Sequence, residues 1–328
     1  MTRVAAIDCG TNTIRLLVAD LVHTGQTVTL SDVTRSGRIV RLGVGVDRTG
    51  YLDQAALERT LEATADFARV VGELGAERVR FIATSATRDA RNREDFTAGV
   101  RRVLGVEPEV VSGQEEAELA YLGSLVGADP APAGSARLVV DLGGGSTELV
   151  LGVDAPAAAY SMNTGSVRVT ERYLADGVTP AAEAAARDHV RALLDRAGAV
   201  VDLGATHELV GLAGTITTVT AHALGLESFE PEAIDGARLD VGTALASCEA
   251  IVHSTAAERE SWGYLRPGRR DVIAAGALVW SEVIARVVEA TAARGHRLTC
   301  TVTSLHDILD GIALSLVRPA GDPVVDAG

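Results

Sequence analysis

Twice in this chain an apolar run of strand type ends on an aspartate, passes through a glycine-bearing turn and resumes as a second strand. The first instance runs from Val4 through Asp8, Cys9, Gly10, Thr11, Asn12 and Thr13 into Ile14. The second runs from Leu138 through Asp141, Leu142, Gly143, Gly144, Gly145, Ser146 and Thr147. A design used twice, each time followed by helices and further strands, implies two similar α/β halves facing each other across a cleft. In each half the aspartate sits where a buried strand meets a turn whose backbone approaches a ligand closely. Gly10 and the three consecutive glycines Gly143 to Gly145 permit that approach and expose N–H groups. Thr11, Asn12, Thr13, Ser146 and Thr147 add hydroxyl and amide donors. Either turn alone is common in many folds; the pair reads as two phosphate clamps.

The remaining pattern supports this organisation. Val4–Ile7, Ile14–Leu21 and Thr27–Thr34 read as an antiparallel meander, and Arg38–Asp47 as a loop. Leu57, Leu61, Phe67 and Val71 share one face of a helix over 53–74, with Asp53 as N-cap and Gly75 as stop. A strand at Val79–Ala83, a helix at Arg93–Leu104, a strand at Val106–Val111 and a helix from about Gln114 to Leu125 complete the first half. A Pro/Gly-rich connection from Gly127 to Ser135 precedes the second. There the expected elements are strands at 138–140, 147–153, 208–212 and 298–301, and helices at 181–198, 244–253, 271–292 and 305–316.

Charge narrows the ligand. The net charge of −14 argues against nonspecific binding to nucleic acid or an anionic membrane, so a polyanion needs a local basic patch. All 30 basic residues are arginine. This excludes a lysine phosphate loop and a Schiff-base lysine, and it supplies planar forks for phosphate oxygens. Arg266, Arg269 and Arg270 form a basic cluster suited to a polyanion track. Cys9, Cys248 and Cys300 form neither a CxxC pair nor a disulfide framework, as expected of a reducing cytoplasm. No run of ~18 apolar residues suggests a membrane span, and Asp8 interrupts any signal-peptide core. Gly-x-Ser-x-Gly and His-Glu-x-x-His signatures are missing.

The two turns resemble the phosphate motifs of the acetate/sugar kinase–Hsp70–actin superfamily. They are closest in form to those of the exopolyphosphatase / guanosine pentaphosphate phosphohydrolase (Ppx/GppA) family. Four further stretches are similar to that family: 83–90, 112–117, 165–168, and 269–273 with Gly276. The resemblance is to its short form, without the C-terminal helical domain of longer members, which leaves less surface for a distal chain. It implies two ribonuclease H-like (actin/Hsp70/sugar kinase-type) domains facing an interdomain cleft. The first would cover 1–125, completed by a C-terminal helix at about 302–320; the second 126–301; and a flexible tail 321–328.

The resemblance also implies site roles. Glu116 would activate the attacking water, with Glu115 as its competitor; by themselves Glu115, Glu116 and Glu118 read as a solvated helix face. Asp8 and Asp141 would hold Mg²⁺ (or Mn²⁺), and Glu148 would orient metal or water. Arg88 would neutralise charge on the transferring phosphoryl group, and Arg168 would hold the chain from the second domain. The stretch 211–215 is similar to the superfamily's nucleoside-side loop. Cys9 departs from the aliphatic residue usual in the family and reads as a small buried thiol. The pair His306-Asp307, which suggests an HD-type metal hydrolase in isolation, falls on the family's closing helix.

The expected activity is metal-dependent release of the terminal phosphate of inorganic polyphosphate, with guanosine pentaphosphate (pppGpp) as the alternative substrate. Readings of another class are a kinase or ATPase of the superfamily and a non-catalytic alarmone sensor. A cytoplasmic homodimer is the expected form.

Overall fold

A computed structural model describes residues 1–24, 27–128 and 134–316. The tail expected over 321–328, residues 317–320 of the closing segment and part of the Pro/Gly-rich connection lie outside the described residues. The meander is β1 (Thr2–Cys9), β2 (Thr13–Thr24) and β3 (Thr27–Ile39). Then follow α1 (Val46–Thr49), α2 (Gln54–Glu73), β4 (Arg78–Ala83), α3 (Ser85–Asp89), α4 (Arg93–Leu104), β5 (Glu109–Val110) and α5 (Gly113–Ser124). Asp53 caps α2 by accepting the Ala56 N–H, and Ser112 caps α5 by accepting that of Glu115.

The second half repeats the theme with β6 (Ala136–Leu142), β7 (Thr147–Gly152), β8 (Pro156–Met162), α6 (Ser166–Val169), α7 (Pro180–Gly198), β9 (Thr206–Leu212) and α8 (Ala213–Ala223). It continues with α9 (Pro231–Ile234), β10 (Arg238–Asp240), α10 (Val241–Val252), α11 (Ala256–Ser261), α12 (Ile273–Ala293), β11 (Cys300–Thr303) and α13 (Ile308–Ser315).

The first sheet has the order β3-β2-β1-β4-β5 and the second β8-β7-β6-β9-β11-β10. In both, the first three strands pair antiparallel and the next two join in parallel. The duplication seen in the sequence is thus a duplicated ribonuclease H-like sheet order.

Three expectations are corrected. The strand read at 106–111 contracts to β5, because Pro108 has no N–H to give a ladder. Residues 213–215, read as loop, open helix α8. The closing helix begins at Ile308, not Leu305, behind the N-cap Asp307.

Burial on both faces fixes the catalytic ends of the central strands. Val4 and Ala6 pack with α5 and α13, while Ala5, Ile7 and Cys9 pack on α2 and α4. Val139 faces the layer of α5 and α13, and Leu138, Val140 and Leu142 face the core of the second half. α5 and α13 therefore lie between the two sheets. Ile308, Leu309 and Ile312 of α13 are buried there, each stabilising the layer by about 2 kcal/mol.

Candidate active site

Asp8 and Asp141 occupy the same place in the two halves. After Asp8, the Gly10 N–H donates to Thr13 O at 3.0 Å; after Asp141, the Gly143 N–H donates to Ser146 O at 3.0 Å. Neighbouring backbone locks both turns. The Val40 and Arg41 N–H groups reach Asn12 O, Gly43 N–H reaches Thr11 O, and Ser166 N–H reaches Gly143 O. The two turns meet at Gly145, where a Cβ would lie 2.5 Å from the Thr11 hydroxyl and 2.8 Å from that of Ser85. Only glycine lets the halves close this tightly, so Gly145 joins the turns and does not line the cleft.

Between the turns lies a cavity of about 90 Å³, about three times the liquid volume of one water. It is lined by Asp8, Gly10, Thr11, Asn12, Thr13, Glu116, Asp141, Gly143, Gly144, Ser146 and Glu148, all singled out in the sequence. Four of these are carboxylates, and all four are buried. Glu116 comes from the first turn of α5. Its carboxylate accepts from Arg88 Nη1 at 3.0 Å, while Glu115 turns outward to Arg80. Glu148 accepts from the Ser161 hydroxyl at 2.7 Å.

Strand register sets the charge beside each aspartate. Asp8 on β1 lies opposite Arg15 on β2; Asp141 on β6 lies opposite Glu148 on β7. Asp8 Oδ2 accepts from Arg15 Nε at 3.0 Å and Nη2 at 2.7 Å, and Oδ1 has no donor among the described residues. The Asp141 carboxylate accepts no hydrogen bond among the described residues. Burial, then the charges of Asp307, Glu116 and Asp8, push its pKa up to about 8 against the pull of Arg15. Burial and the Asp8 charge likewise push Glu116 up to about 7, against Arg88. Glu148 is pushed well up by burial, Glu116 and Asp141, and Asp8 is raised by burial against Arg15.

Sequence reading missed several residues of the site. Arg15 lines the cavity, as do Thr84, Ser85, Ser166 and Ile273, which fall in the family-like stretches but were given no role; Arg269, noted in the basic cluster and at the head of the stretch 269–273, does too. The signal for Arg15 was available: it stands at the same offset from Asp8 as Glu148 does from Asp141. Arg269 lies over Gly214, where a Cβ would fall 0.9 Å from its Nη1. Its Nε is buried without a hydrogen-bond partner. Burial, then Arg15 and Arg266, push its pKa down to about 10, as befits a guanidinium lacking an anion. Thr13, Arg15, Ala213, Gly214 and Arg269 also border a second, adjoining cavity of about 360 Å³. Ala213, at the start of α8, holds a left-handed φ of 73°, a strained backbone at the join of the two cavities.

Besides Gly145, three expected contacts fall elsewhere. Arg88 is not among the lining residues; its Nη1 is engaged by Glu116 and by Val111 O at 2.9 Å. Arg168 is also outside the cavity, because Gly145 O, Asp47 and Asp89 take up its guanidinium. The Thr147 hydroxyl donates to Thr164 O at 2.7 Å.

The donor set fits a divalent cation. Asp8 Oδ1, Asp141 and Glu148 present hard oxygens, and the bare Asp141 carboxylate lacks any positive partner of its own. Among the described residues, the trio of ligand-type groups within 4.8 Å of one another is Glu183, Glu249 and His253, where Arg187 already neutralises both glutamates. The cleft carboxylates are spaced more widely, which suits an ion that keeps waters and takes substrate oxygens.

The sequence profile of the Ppx/GppA phosphatase family matches residues 18–296. Exopolyphosphatase 2 of Mycobacterium tuberculosis is 44% identical over 322 residues, covering 96% of this chain and 99% of that protein. The crystal structure of an exopolyphosphatase-like protein superposes with a TM-score of 0.89 at 42% identity, covering 96% of this chain and 97% of that one. The Aquifex aeolicus member of the Ppx/GppA family superposes with a TM-score of 0.75 at 28% identity, covering 96% of this chain and 97% of that one.

Proposed function

Since the chain belongs to the Ppx/GppA phosphatase family, we propose that it is an exopolyphosphatase that hydrolyses the terminal anhydride of inorganic polyphosphate. The carrying observation is the cleft itself: four buried carboxylates face one small cavity, with an arginine on its wall whose Nε has no hydrogen-bond partner. The near-full-length similarity to a protein named exopolyphosphatase supports polyphosphate over pppGpp.

The family is generally dependent on a divalent metal. Here Asp8, Asp141 and Glu148 would hold Mg²⁺ (or Mn²⁺), which when bound neutralises phosphate oxygens as a Lewis acid. The chain's own residues do the rest. The Gly144 N–H, with the Thr11, Thr13 and Ser146 hydroxyls, seats the terminal phosphoryl group, while the Gly10 and Gly143 N–H groups hold the two turns closed. Arg269 meets the charge that spreads over its oxygens. Glu116 takes the proton of the attacking water, and Arg88 holds its carboxylate in place. A pKa of about 7 suits a base that works near neutrality. The P–O bond to the chain breaks in line, releasing orthophosphate and a polyphosphate one unit shorter. A cytoplasmic setting and a homodimer belong to the same reading; analytical ultracentrifugation tests the second.

Phosphate release is measured from polyphosphates of several lengths, pppGpp and ATP, each with Mg²⁺, Mn²⁺ or a chelator. Metal-dependent release, fastest from polyphosphate, is expected. Preference for pppGpp or ATP, or full activity in the chelator, overturns the proposal.

A further inference from the structure

Asp307 precedes α13 and lies far from the motifs that define the site, yet it is joined to them. It is 6% exposed. One carboxylate oxygen accepts the Leu309 N–H at 3.0 Å and caps α13. The other pairs with Arg15 Nη1, whose remaining nitrogens are on Asp8. Arg15 is therefore shared between two carboxylates, one in the cleft and one at the head of the last helix.

The cap does not explain the charge. Serine, threonine or asparagine caps a helix about as well as aspartate; only a carboxylate offsets a guanidinium. Nor is the position loose. Gly123 of α5 and Gly311 of α13 bring the helix backbones together, since a Cβ would lie 1.7 Å from Asp307 O at the first and 1.9 Å from Leu119 O at the second. Asp307 is thus held by the helix that carries Glu116. Arg15 in turn feels both aspartates of the cleft. Two of its nitrogens are on Asp8, and it shares the cavity wall with Asp141. Without Asp307, Arg15 has one fewer carboxylate to serve. Its charge then falls wholly on Asp8 and Asp141, the oxygens a cation needs.

We propose that Asp307 is a positioning residue for the cation site: by holding one side of Arg15, it leaves Asp8 Oδ1 and Asp141 free to take a divalent ion. The proposal rests on the cation-dependent reading above and goes beyond it in assigning a residue outside the two Asp-Gly turns.

The test is a double-mutant cycle read by direct calorimetric titration with Mn²⁺ alone. Asp307→Asn keeps the cap and the volume but not the charge. Its Mn²⁺ affinity is expected to fall about tenfold, a coupling of ordinary size between neighbouring groups. Melting in a chelator should stay close to wild type, and the KM for polyphosphate should be unchanged while kcat falls. In an Arg15→Gln background, Asp307→Asn should leave Mn²⁺ affinity unaltered. Asp307→Ser, which keeps a capping oxygen but is too short for Arg15, should repeat the Asp307→Asn result and guards against one variant misfolding. Unchanged Mn²⁺ affinity in both variants, or an equal loss with and without Arg15, overturns the proposal. Failure of the wild-type protein to bind Mn²⁺ would instead overturn the cation-dependent reading on which it rests, and the proposal with it.

Discussion

The turns after Asp8 and Asp141 share a backbone and differ in charge. Each follows a doubly buried strand, each closes with a glycine N–H on the carbonyl at the same offset, and each lies in a sheet of the same order. Across the strand, however, Asp8 meets Arg15 and Asp141 meets Glu148. The first half thereby carries its own positive partner. The second gathers two carboxylates and, among the described residues, pairs neither with a basic side chain. Duplication copied the geometry, while the cross-strand residue decided which half is left for the proposed cation to balance. A buried carboxylate without a partner is costly in the ionised form, and the raised pKa of Asp141 expresses that cost.

Removing charge from each half in turn is the sharpest way to break the comparison. Asp141→Asn should cost about a thousandfold in turnover and most of the Mn²⁺ affinity, as loss of a principal metal carboxylate does. Asp8→Asn should cost less affinity, because Arg15 already offsets part of the Asp8 charge. Equal losses, measured by calorimetry and initial rates, would mean the asymmetry has no functional weight. Glu148→Gln should lower turnover about a hundredfold. It should also raise the melting temperature in a chelator, because it removes a buried carboxyl that must either hold a proton or face Asp141 as a like charge; a lower melting temperature would contradict the electrostatic account.

The smallest effect expected is on stability against pH. The Asp141 carboxyl rises from 3.8 to about 8 and that of Glu116 from 4.5 to about 7. Between those limits the folded, cation-free protein holds protons that the unfolded chain has released. Its stability is therefore fully present at the acid end of the window and lost as pH rises through it. In a chelator, melting should fall by on the order of 5 °C between about pH 5 and pH 8. Saturating Mg²⁺ should flatten or reverse that slope, and a slope unaffected by Mg²⁺ would argue against a cation among these groups.

Much of this site was legible because it is local. Asp8, Asp141, the glycine turns and the helix bearing Glu116 follow from apolar runs and turn residues. Glu116 and Glu148 were singled out through resemblance to a family, with Glu115 as the competitor of Glu116, and the fold turns Glu115 outward to Arg80. Arg15 was passed over as a polar interruption of an apolar strand, though its offset from Asp8 matches that of Glu148 from Asp141. β8 escaped notice because Pro156–Met162 is largely alanine and shows no alternation. α8 was missed because its Thr, Ile and Val residues disfavour helix locally, and burial against the second core overrides them. Arg168 and Asp307 depend on partners far along the chain, which no local pattern encodes.

The most direct test of the account is the Glu116→Gln variant, assayed for both polyphosphate binding and phosphate release with Mg²⁺ present. The account expects turnover to fall about a thousandfold with binding of polyphosphate essentially unchanged, as for loss of a general base. Turnover within a few-fold of wild type would contradict it.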